Sequence, residues 1–149
     1  MRARRAIAFG SWPLKLIVSW HQMNERFRPG AATWVASDSA LSDFSGIFED
    51  DGDTGYFYAH DRRPGAGILD AVLIYHVANL RDRDRESDAE IRWSSDGLKV
   101  GLFFNGQLHA LIDFDSRVAY GRTNSPPPGG PWAAPTRALW RDDLIKLLT

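Results

Sequence analysis

Two Asx-Gly dipeptides in one alternating stretch constrain the fold of this chain more than any other feature. Asp96-Gly97 and Asn105-Gly106 stand between runs in which apolar and polar residues alternate. Asx-Gly pairs supply the positive φ angles that two-residue type I′ turns need, so each pair predicts a tight β-hairpin. A third turn at residues 115–117 leads into a last short strand. Residues 89–122 are therefore predicted to form an antiparallel meander.

The two turns, taken as two-residue loops, fix the predicted register of this meander. Across the first turn Trp93 should face Val100, and across the second turn Leu102 should face His109. One face then gathers Ile91, Trp93, Val100, Leu102, Phe104, His109 and Leu111. The opposite face gathers Phe103, Leu108, Ala110, Ile112 and Phe114. His109 is thus predicted to lie on an otherwise apolar face.

Further strands are predicted ahead of the meander. They have the composition of strands and lie at residues 32–36, 44–48, 56–59 and 68–77. Both faces of the last segment are largely apolar, so that strand is predicted to be central in its sheet. The acidic run at residues 49–55 is interpreted as a solvated hairpin loop. Its oxygens lack the alternate spacing and the distal Glu of an EF-hand calcium loop.

The remaining segments predict an exposed connection, an extended arm and a helix. Residues 79–88 alternate charges without an apolar stripe, which is typical of an exposed connection or a short charged helix. Consecutive prolines within residues 124–135 favour an extended arm. A helix over about residues 138–148 is predicted from the spacing of Trp140, Leu144, Ile145, Leu147 and Leu148. The predicted fold class is α+β, mainly antiparallel β, arranged as a meander, a barrel-like sheet or a two-layer sheet with one C-terminal helix.

The charge distribution divides the chain into a short N-terminal extension and one domain. Residues 1–22 contain four basic residues and no acidic one, and an in-frame Met23 follows directly. We interpret residues 1–22 as an extension that adds little to the fold, with Met23 as an alternative start, and residues 23–149 as a single β-rich domain. The alternative is an ordinary extension that packs on the domain. The uncharged run at residues 6–14 is too short to span a bilayer, which needs about 20 apolar residues.

Composition excludes several classes of site. The 149 residues include no cysteine, which excludes disulfides, thiol nucleophiles and cysteine-based zinc sites and is compatible with a reducing cytoplasm. The formal net charge of −1 does not favour nucleic-acid binding, which requires a concentrated positive surface. The local motifs of phosphate loops, serine hydrolases and zinc proteases are missing, and the four histidines lack metal-type spacing. We therefore expect no metal and no cofactor.

Several short motifs carry a resemblance to a known bacterial family. They are Gly55-Tyr56-Phe57-Tyr58-Ala59, Ile68-Leu69-Asp70-Ala71 through Tyr75, Trp93 with Asp96-Gly97 and Lys99, Asp113-Phe114, and Tyr120-Gly121-Arg122 followed by the prolines. With these motifs the chain resembles a small family catalogued only as a domain of unknown function, the 2251 family. The resemblance covers roughly residue 32 to the C-terminus. It implies a compact bacterial protein and carries over no catalytic residue, because the family has none assigned.

The first functional hypothesis is a non-catalytic protein-interaction module, such as an immunity-like or regulatory partner of another bacterial protein. Without residues 1–22 the chain keeps 14 of its 18 Lys and Arg residues against 19 Asp and Glu residues, a net charge of −5. Such a surface would steer encounters with a basic partner. The candidate binding residues are Tyr56, Tyr58, His60, Tyr75, Tyr120 and Arg122, because polar aromatic and arginine anchors suit interfaces. The alternative is that the tyrosines simply suit strands.

The second hypothesis is a small hydrolase or nuclease that uses His109 with a nearby carboxylate. Burial on the predicted apolar face would lower the pKa of His109 unless a carboxylate lies close. Asp113 and Asp70 are the candidate carboxylates, and His60 is an alternative base. A structural histidine is the alternative to a catalytic one. The enzyme hypothesis therefore depends on whether the fold brings His109 and a carboxylate within hydrogen-bond distance.

Overall fold

The computed structural model describes residues 17–18, 22–123, 132 and 139–149. Within these ranges the chain forms ten β-strands in two five-stranded sheets. In chain order they are β1 (Ile17–Val18), β2 (Gln22–Phe27), β3 (Thr33–Asp38), β4 (Phe44–Asp50), β5 (Thr54–Asp61), β6 (Gly67–His76), β7 (Ser87–Trp93), β8 (Lys99–Phe104), β9 (Gln107–Asp113) and β10 (Val118–Gly121). The first sheet has the order β1-β3-β4-β5-β6, and the second has the order β10-β9-β8-β7-β2. Neighbouring strands pair antiparallel, except that β1 and β3 pair in parallel.

The two sheets pack face to face over an aromatic core. Alternation along each strand sends every second side chain toward the opposite sheet, as with Val35 in the first sheet and Ile91 in the second. At the centre of this core the Phe48 ring lies 5.2 Å from both the Phe27 and the Phe104 ring, in edge-to-face geometry. The prediction of a mainly antiparallel two-layer fold is confirmed, whereas the sheets do not close into a barrel.

Both predicted turns of the meander are confirmed, but their geometries differ. Asn105 and Gly106 have φ angles of 51° and 82°, as a type I′ turn requires. In the first turn Gly97 has a φ of 71°, and its N–H donates to the Ser94 carbonyl at 3.0 Å. Asp96 has no positive φ there, and its carboxylate instead accepts a hydrogen bond from the Ser94 hydroxyl at 2.6 Å. The first hairpin therefore has a longer loop than predicted.

The second hairpin departs from the predicted register at His109. Next to the turn, Phe103 pairs with Leu108, but one step further Leu102 pairs with Ala110. His109 is therefore the extra residue of a β-bulge, opposite no residue of β8. The predicted pairing of Leu102 with His109 is wrong.

This bulge exchanges the two predicted faces of β9 beyond His109. Val100 pairs with Ile112 instead of Leu111, although it still faces Trp93 across the first hairpin as predicted. Ile112 and its even-numbered neighbours enter the core between the sheets, while Leu111 points to the outer face of the second sheet. A one-residue shift in register has this effect because side chains alternate along a strand.

β6 lies at the edge of the first sheet, so the prediction that residues 68–77 form a central strand is wrong. Both of its faces are apolar for another reason. Val72 enters the core between the sheets, while Ala71 and Leu73 join an apolar cluster on the outer face of the first sheet. β6 runs beside β10, and Gly121 of β10 allows this close approach. A Cβ on Gly121 would lie only 2.7 Å from Val72 Cγ1 of β6.

The predicted C-terminal α-helix is replaced by a short 3-10 segment, Asp142–Leu148. Leu144 and Leu147 are three residues apart, which places them on one face of a helix with three residues per turn. Leu144 is fully buried and packs with Phe103 and Leu111 on the outer face of the second sheet. The predicted C-terminal helix is therefore not confirmed as an α-helix, and the segment packs on the sheet as a short 3-10 segment instead.

The connection between β6 and β7 agrees with the sequence. A 3-10 turn at Val77–Asn79 is followed by residues 81–86, all of which are exposed. The prediction of an exposed connection is confirmed.

Among the described residues, no helix is long and apolar enough to cross a membrane.

The described N-terminal residues belong to the sheets. Ile17 pairs with Ala36 of β3, and Gln22 and Met23 pair with β7 as the first residues of β2. Most of residues 1–22 and most of the proline-rich segment lie outside the described residues. The predictions that residues 1–22 add little to the fold and that residues 124–135 form an extended arm therefore stay predictions.

Candidate functional site

A cavity of about 470 Å³ opens at one end of the sandwich. It lies where β2, β6, β8 and β10 end and where β7 and β9 begin. Its lining residues are Phe27, Pro29, Ile74, Tyr75, Leu80, Arg81, Asp82, Ser87, Phe104, Asn105, Gln107, His109, Arg122 and Thr123. We call this site the end cavity. It brings together Tyr75 and Arg122, which the sequence analysis selected as binding residues, and His109, which it selected as a catalytic candidate.

His109 reaches the end cavity because of the bulge in β9. Its ring lies 4.9 Å from the Phe104 ring and makes no hydrogen bond to a carboxylate among the described residues. Burial, and then the nearby positive charge of Arg122, lower the pKa of His109 to about 4. The imidazole is therefore neutral at pH 7 and can offer one N–H donor and one acceptor.

Arg122 is the fixed cation of the end cavity. Its Nε and Nη2 atoms both donate to the Leu108 carbonyl, at 3.0 and 2.6 Å. The guanidinium carbon lies 4.8 Å from the centre of the Trp140 ring. Of the five guanidinium N–H groups, two are used in this way, and the other three remain available. Within the described part of the chain, no carboxylate forms an ion pair with Arg122.

Tyr75 contributes its ring to the cavity wall, since its hydroxyl is already used. That hydroxyl donates to Asp50 Oδ2 at 2.6 Å, and burial followed by this hydrogen bond raises the pKa of Tyr75. Asp50 also accepts the N–H groups of Gly30 and Gly52, each at 2.8 Å. Asp50 thus ties three chain segments together beside the cavity.

Sequence reasoning missed Asp50, which lies in the acidic run that we interpreted as a solvated loop. It is only 1% exposed. The one local signal is the Asp50-Asp51-Gly52 pattern, because an Asp side chain readily accepts the N–H two residues later. Asp51 does the same for Asp53 at 3.0 Å. These carboxylates stabilise turns of the backbone and do not form a metal site, since the described residues contain no cluster suited to one.

The other predicted binding residues lie away from the end cavity. Tyr56 and Tyr58 are buried on the outer face of the first sheet, where their rings stack at 5.8 Å. His60 lies further along the same strand and is also buried, and this burial lowers its pKa although the nearby Asp38 carboxylate opposes that shift. Tyr120 packs on the outer face of the second sheet. The tyrosines therefore do not line one groove.

The carboxylates proposed for catalysis are not partners of His109. Asp113 lies at the other end of β9, about 13 Å from His109 at the usual rise of a strand. Its Oδ1 atom accepts the N–H groups of Asp115 and Ser116, at 3.0 and 3.1 Å, and thereby closes the turn to β10. The carboxylate of Asp70 accepts the N–H of the next residue at 2.8 Å. Neither residue lines the end cavity with His109.

A second, smaller cavity lies at the opposite end of the sandwich. It has a volume of about 230 Å³ and is lined in part by Phe44, Asp61 and Arg63. Arg63 donates to both oxygens of Asp61 at 2.6 to 3.2 Å. The other cation of this cavity, Arg117, is exposed and forms no ion pair with a carboxylate of the described residues. The end cavity differs because its cation, Arg122, is half-buried and held by the Leu108 carbonyl and the Trp140 ring.

His109 is expected to make the folded state less stable in acid. Its pKa is about 4 in the folded state and about 6.5 in an unfolded chain, so between these values the unfolded chain binds more protons. The contribution of His109 to the free energy of unfolding is complete above pH 6.5 and is lost as the pH falls toward 4. Allowing for partial solvent exposure, we expect a loss of about 1 to 2 kcal/mol in the free energy of unfolding. The charged and titratable groups that share the cavity with His109 are Arg122, Arg81, Asp82 and Tyr75.

Urea unfolding at several pH values between about 7 and 4 measures this effect. His109→Gln should flatten the profile by about 1 to 2 kcal/mol relative to the unmodified protein. The shift at His60 is present in both proteins and cancels in this comparison. The exposed residue His76 provides the control substitution His76→Gln. Parallel profiles for the His109 variant and the unmodified protein would contradict the expectation.

Comparison with known proteins identifies relatives without assigning an activity. Residues 27–149 match the family described as "Uncharacterized protein conserved in bacteria (DUF2251)". A protein of Haemophilus influenzae, described as uncharacterized, is 40% identical over 86 residues, which cover 57% of this chain and 53% of the relative. The chain thus spans about half the length of the relative that it matches. No solved structure matches the chain.

Proposed function

The chain belongs to the bacterial family DUF2251, and from that premise we propose that it is a non-catalytic protein-binding module whose contact site is the end cavity. An immunity-like or regulatory protein that masks another bacterial protein is the class of function proposed. Neither the family description nor that of the relative assigns an activity, so the argument depends on the geometry of the cavity.

One observation carries the proposal: an apolar cavity contains a neutral histidine and a fixed cation that pairs with no carboxylate of the described residues. The cavity floor is the end of the core, formed by Phe27, Ile74 and Phe104, which are 5 to 9% exposed. Its volume of about 470 Å³ falls within the range of sites that bind side chains and small ligands. Apolar walls with a few well-placed polar groups provide recognition by shape and charge.

The arrangement around His109 favours binding over catalysis. A general base must be oriented and must hold a pKa near the working pH. His109 has a pKa of about 4, and within the described residues no carboxylate orients its ring. Arg122 lies beside it and would further oppose the protonated imidazole. Asp82 is the carboxylate that lines the same cavity, and no hydrogen bond joins it to His109 among the described residues, which weakens the support for the hydrolase or nuclease hypothesis.

The expected partner is a protein with a basic surface in the reducing cytoplasm. The net charge of −5 beyond residue 22 would steer such a partner toward this chain. Arg81 and Asp82, the first residues of the exposed charged connection 81–86, line the cavity. The absence of cysteine is compatible with the cytoplasm.

The proposal predicts that blocking the end cavity removes partner binding. The full chain is used as bait in a lysate of its native host, and the captured proteins are quantified by mass spectrometry. Gln107 is exposed at the cavity mouth, so Gln107→Trp should fill the opening without disturbing the core. Ser116 is exposed in the turn at the other end of β9, so Ser116→Trp is the matched control.

We expect at least one protein that both the unmodified chain and the Ser116 variant capture and that the Gln107 variant loses at least about tenfold. Equal capture by the two tryptophan variants would contradict the assignment of the contact site. Loss of substrate turnover in His109→Ala, without loss of stability, would overturn the non-catalytic proposal and favour the hydrolase hypothesis.

A further inference from the structure

We infer that the end cavity binds the C-terminal residue of a partner chain, with Arg122 contacting the terminal carboxylate and the apolar floor receiving the last side chain. This inference rests on the proposed function and specifies the group that enters the site. It combines three observations, namely an unpaired cation, an apolar floor and an open mouth.

The cation calls for an anionic group. Arg122 is half-buried, which removes part of its hydration, and no described carboxylate pairs with it. A desolvated charge gains from a counter-ion that arrives with the ligand. Because both the Leu108 carbonyl and the Trp140 ring hold the guanidinium, the ligand would not need to order this side chain.

The local charge favours a single negative charge over a phosphate dianion. The charged residues that line the cavity are Arg81, Asp82 and Arg122, a net charge of +1. A planar guanidinium with free N–H groups matches a carboxylate in a two-bond geometry. His109 adds a neutral N–H next to Arg122, and the depression of its pKa by Arg122 agrees with a positive potential inside the cavity.

The remaining wall fits an apolar side chain. Tyr75 presents only its ring, because its hydroxyl is bonded to Asp50. Ile74, Leu80 and Phe104 continue this apolar surface. An apolar group bearing one carboxylate therefore matches both halves of the cavity, and a hydrophilic anion would match only one.

The open mouth favours a chain end over a free acid. Five residues around it are exposed, namely Arg81, Asp82, Asn105, Gln107 and Thr123. A free acid is held best in an enclosed pocket that covers most of its surface, whereas the residues that precede a chain end must leave through an opening. Capture of a terminal carboxylate is also an established mode of peptide recognition.

A labelled peptide tests the inference. Fluorescein-labelled Gly-Gly-Gly-Gly-Phe with a free C-terminus is titrated with the full chain by fluorescence anisotropy, beside the same peptide with a C-terminal amide. We expect the free carboxylate to strengthen binding by about tenfold or more, since the amide removes the charge that Arg122 contacts. Unlabelled 3-phenylpropionate, a free acid with the same ring, should compete more weakly than the unlabelled peptide.

Substitutions identify the contact. Arg122→Gln should weaken binding of the free-acid peptide by about tenfold and leave the amide unaffected. Arg117 is an exposed cation at the opposite end of the sandwich, and Arg117→Gln should change binding by less than about twofold. If Arg122→Gln lowers the melting temperature, the contact is judged in the unmodified protein, from the difference in affinity between the free-acid and the amide peptide.

Equal affinity for the acid and the amide, or no binding of either at millimolar concentration, would overturn the inference. Tighter binding of 3-phenylpropionate than of the peptide would also overturn it, because a free acid would then be the ligand. The capture experiment separates this failure from failure of the proposed function. A native partner that is lost with Gln107→Trp but kept with Arg122→Gln would leave the binding module intact and reject the carboxylate contact.

Discussion

Replacing Asp50 with alanine is expected to lower the free energy of unfolding by about 3 to 5 kcal/mol, among the largest effects that one substitution has in a domain of this size. The carboxylate is 1% exposed and accepts three hydrogen bonds at 2.6 to 2.8 Å. Alanine would leave the donors of Gly30, Gly52 and Tyr75 without their acceptor. An unmet buried donor costs more than the average hydrogen bond contributes.

The effect should extend to the end cavity, because Asp50 positions one of its walls. The Tyr75 ring rests directly on Gly55, where a Cβ would lie 2.7 Å from the ring. Without its bond to Asp50, the Tyr75 hydroxyl would have to find another acceptor or turn toward solvent. We therefore expect weaker binding of the C-terminal peptide in Asp50 variants that still fold.

Graded substitutions distinguish this explanation from a general effect of lost charge. Asp50→Asn keeps one acceptor oxygen and should cost about half as much as alanine. Tyr75→Phe removes one of the three bonds and should cost about 1 to 2 kcal/mol. Asp43→Ala, at an exposed position just before β4, should change stability by less than about 0.5 kcal/mol. Denaturant unfolding measures all four, and an Asp50→Ala effect as small as that of Asp43→Ala would contradict the role assigned here.

Asp50 also shows why part of the site could not be predicted from sequence. In a run of acidic residues a carboxylate is usually solvated, and nothing within the run marks one member as buried. Its burial depends on Gly30, which is 20 residues earlier, and on Tyr75, which is 25 residues later. Such contacts arise when the sheets pack and leave no periodic signal in the chain.

The hairpins were predictable because turn chemistry is local. Asn and Gly adopt positive φ more readily than other residues, so the turn at Asn105 and Gly106 could be predicted from two residues. The position of β6 was not predictable in the same way. Its two apolar faces fit a central strand, but they also fit an edge strand that contributes to the core on one face and to an outer cluster on the other.

The register of β9 was ambiguous for a related reason. Leu108, Ala110, Leu111 and Ile112 are all apolar, so the sequence allows either face to turn inward. The bulge at His109 resolves this choice in the structure, since it moves a polar residue out of the core and into the wall of the end cavity. The sequence pointed to Tyr75 and Arg122 as members of one set of binding residues and to His109 as a separate catalytic candidate. Their meeting at one site depends on this bulge and on the approach of β10 to β6.

Two single-residue deletions are expected to differ greatly in their effect on stability. One removes His109, the bulge residue of β9, and the other removes Gly101, a paired residue of β8. Deleting His109 would leave Leu108 and Ala110 adjacent, which restores regular alternation opposite Phe103 and Leu102. Both neighbours would keep their present faces. We therefore expect a folded protein whose free energy of unfolding falls by no more than about 2 kcal/mol.

Deleting Gly101 from β8 would not leave a regular alternation of side chains opposite both neighbouring strands. β8 is paired on both sides, and Val100 would either lose its partners on β7 and β9 or move into the place of Gly101. A Cβ at that place would lie 2.7 Å from Leu148 Cδ1, so the site has no room for valine. We expect this deletion to abolish cooperative folding, because it also sends Lys99 into the core.

Circular dichroism during thermal unfolding distinguishes the two outcomes, and peptide binding adds a second measurement. The variant without His109 should unfold cooperatively but bind the C-terminal peptide more weakly, because one cavity wall is missing and the Arg122 N–H loses its bond to the His109 carbonyl at 3.0 Å. The variant without Gly101 should show no cooperative transition. If both deletions unfold the protein, the His109 bulge is required for the fold itself. Loss of peptide binding would then follow from unfolding and not from the missing cavity wall.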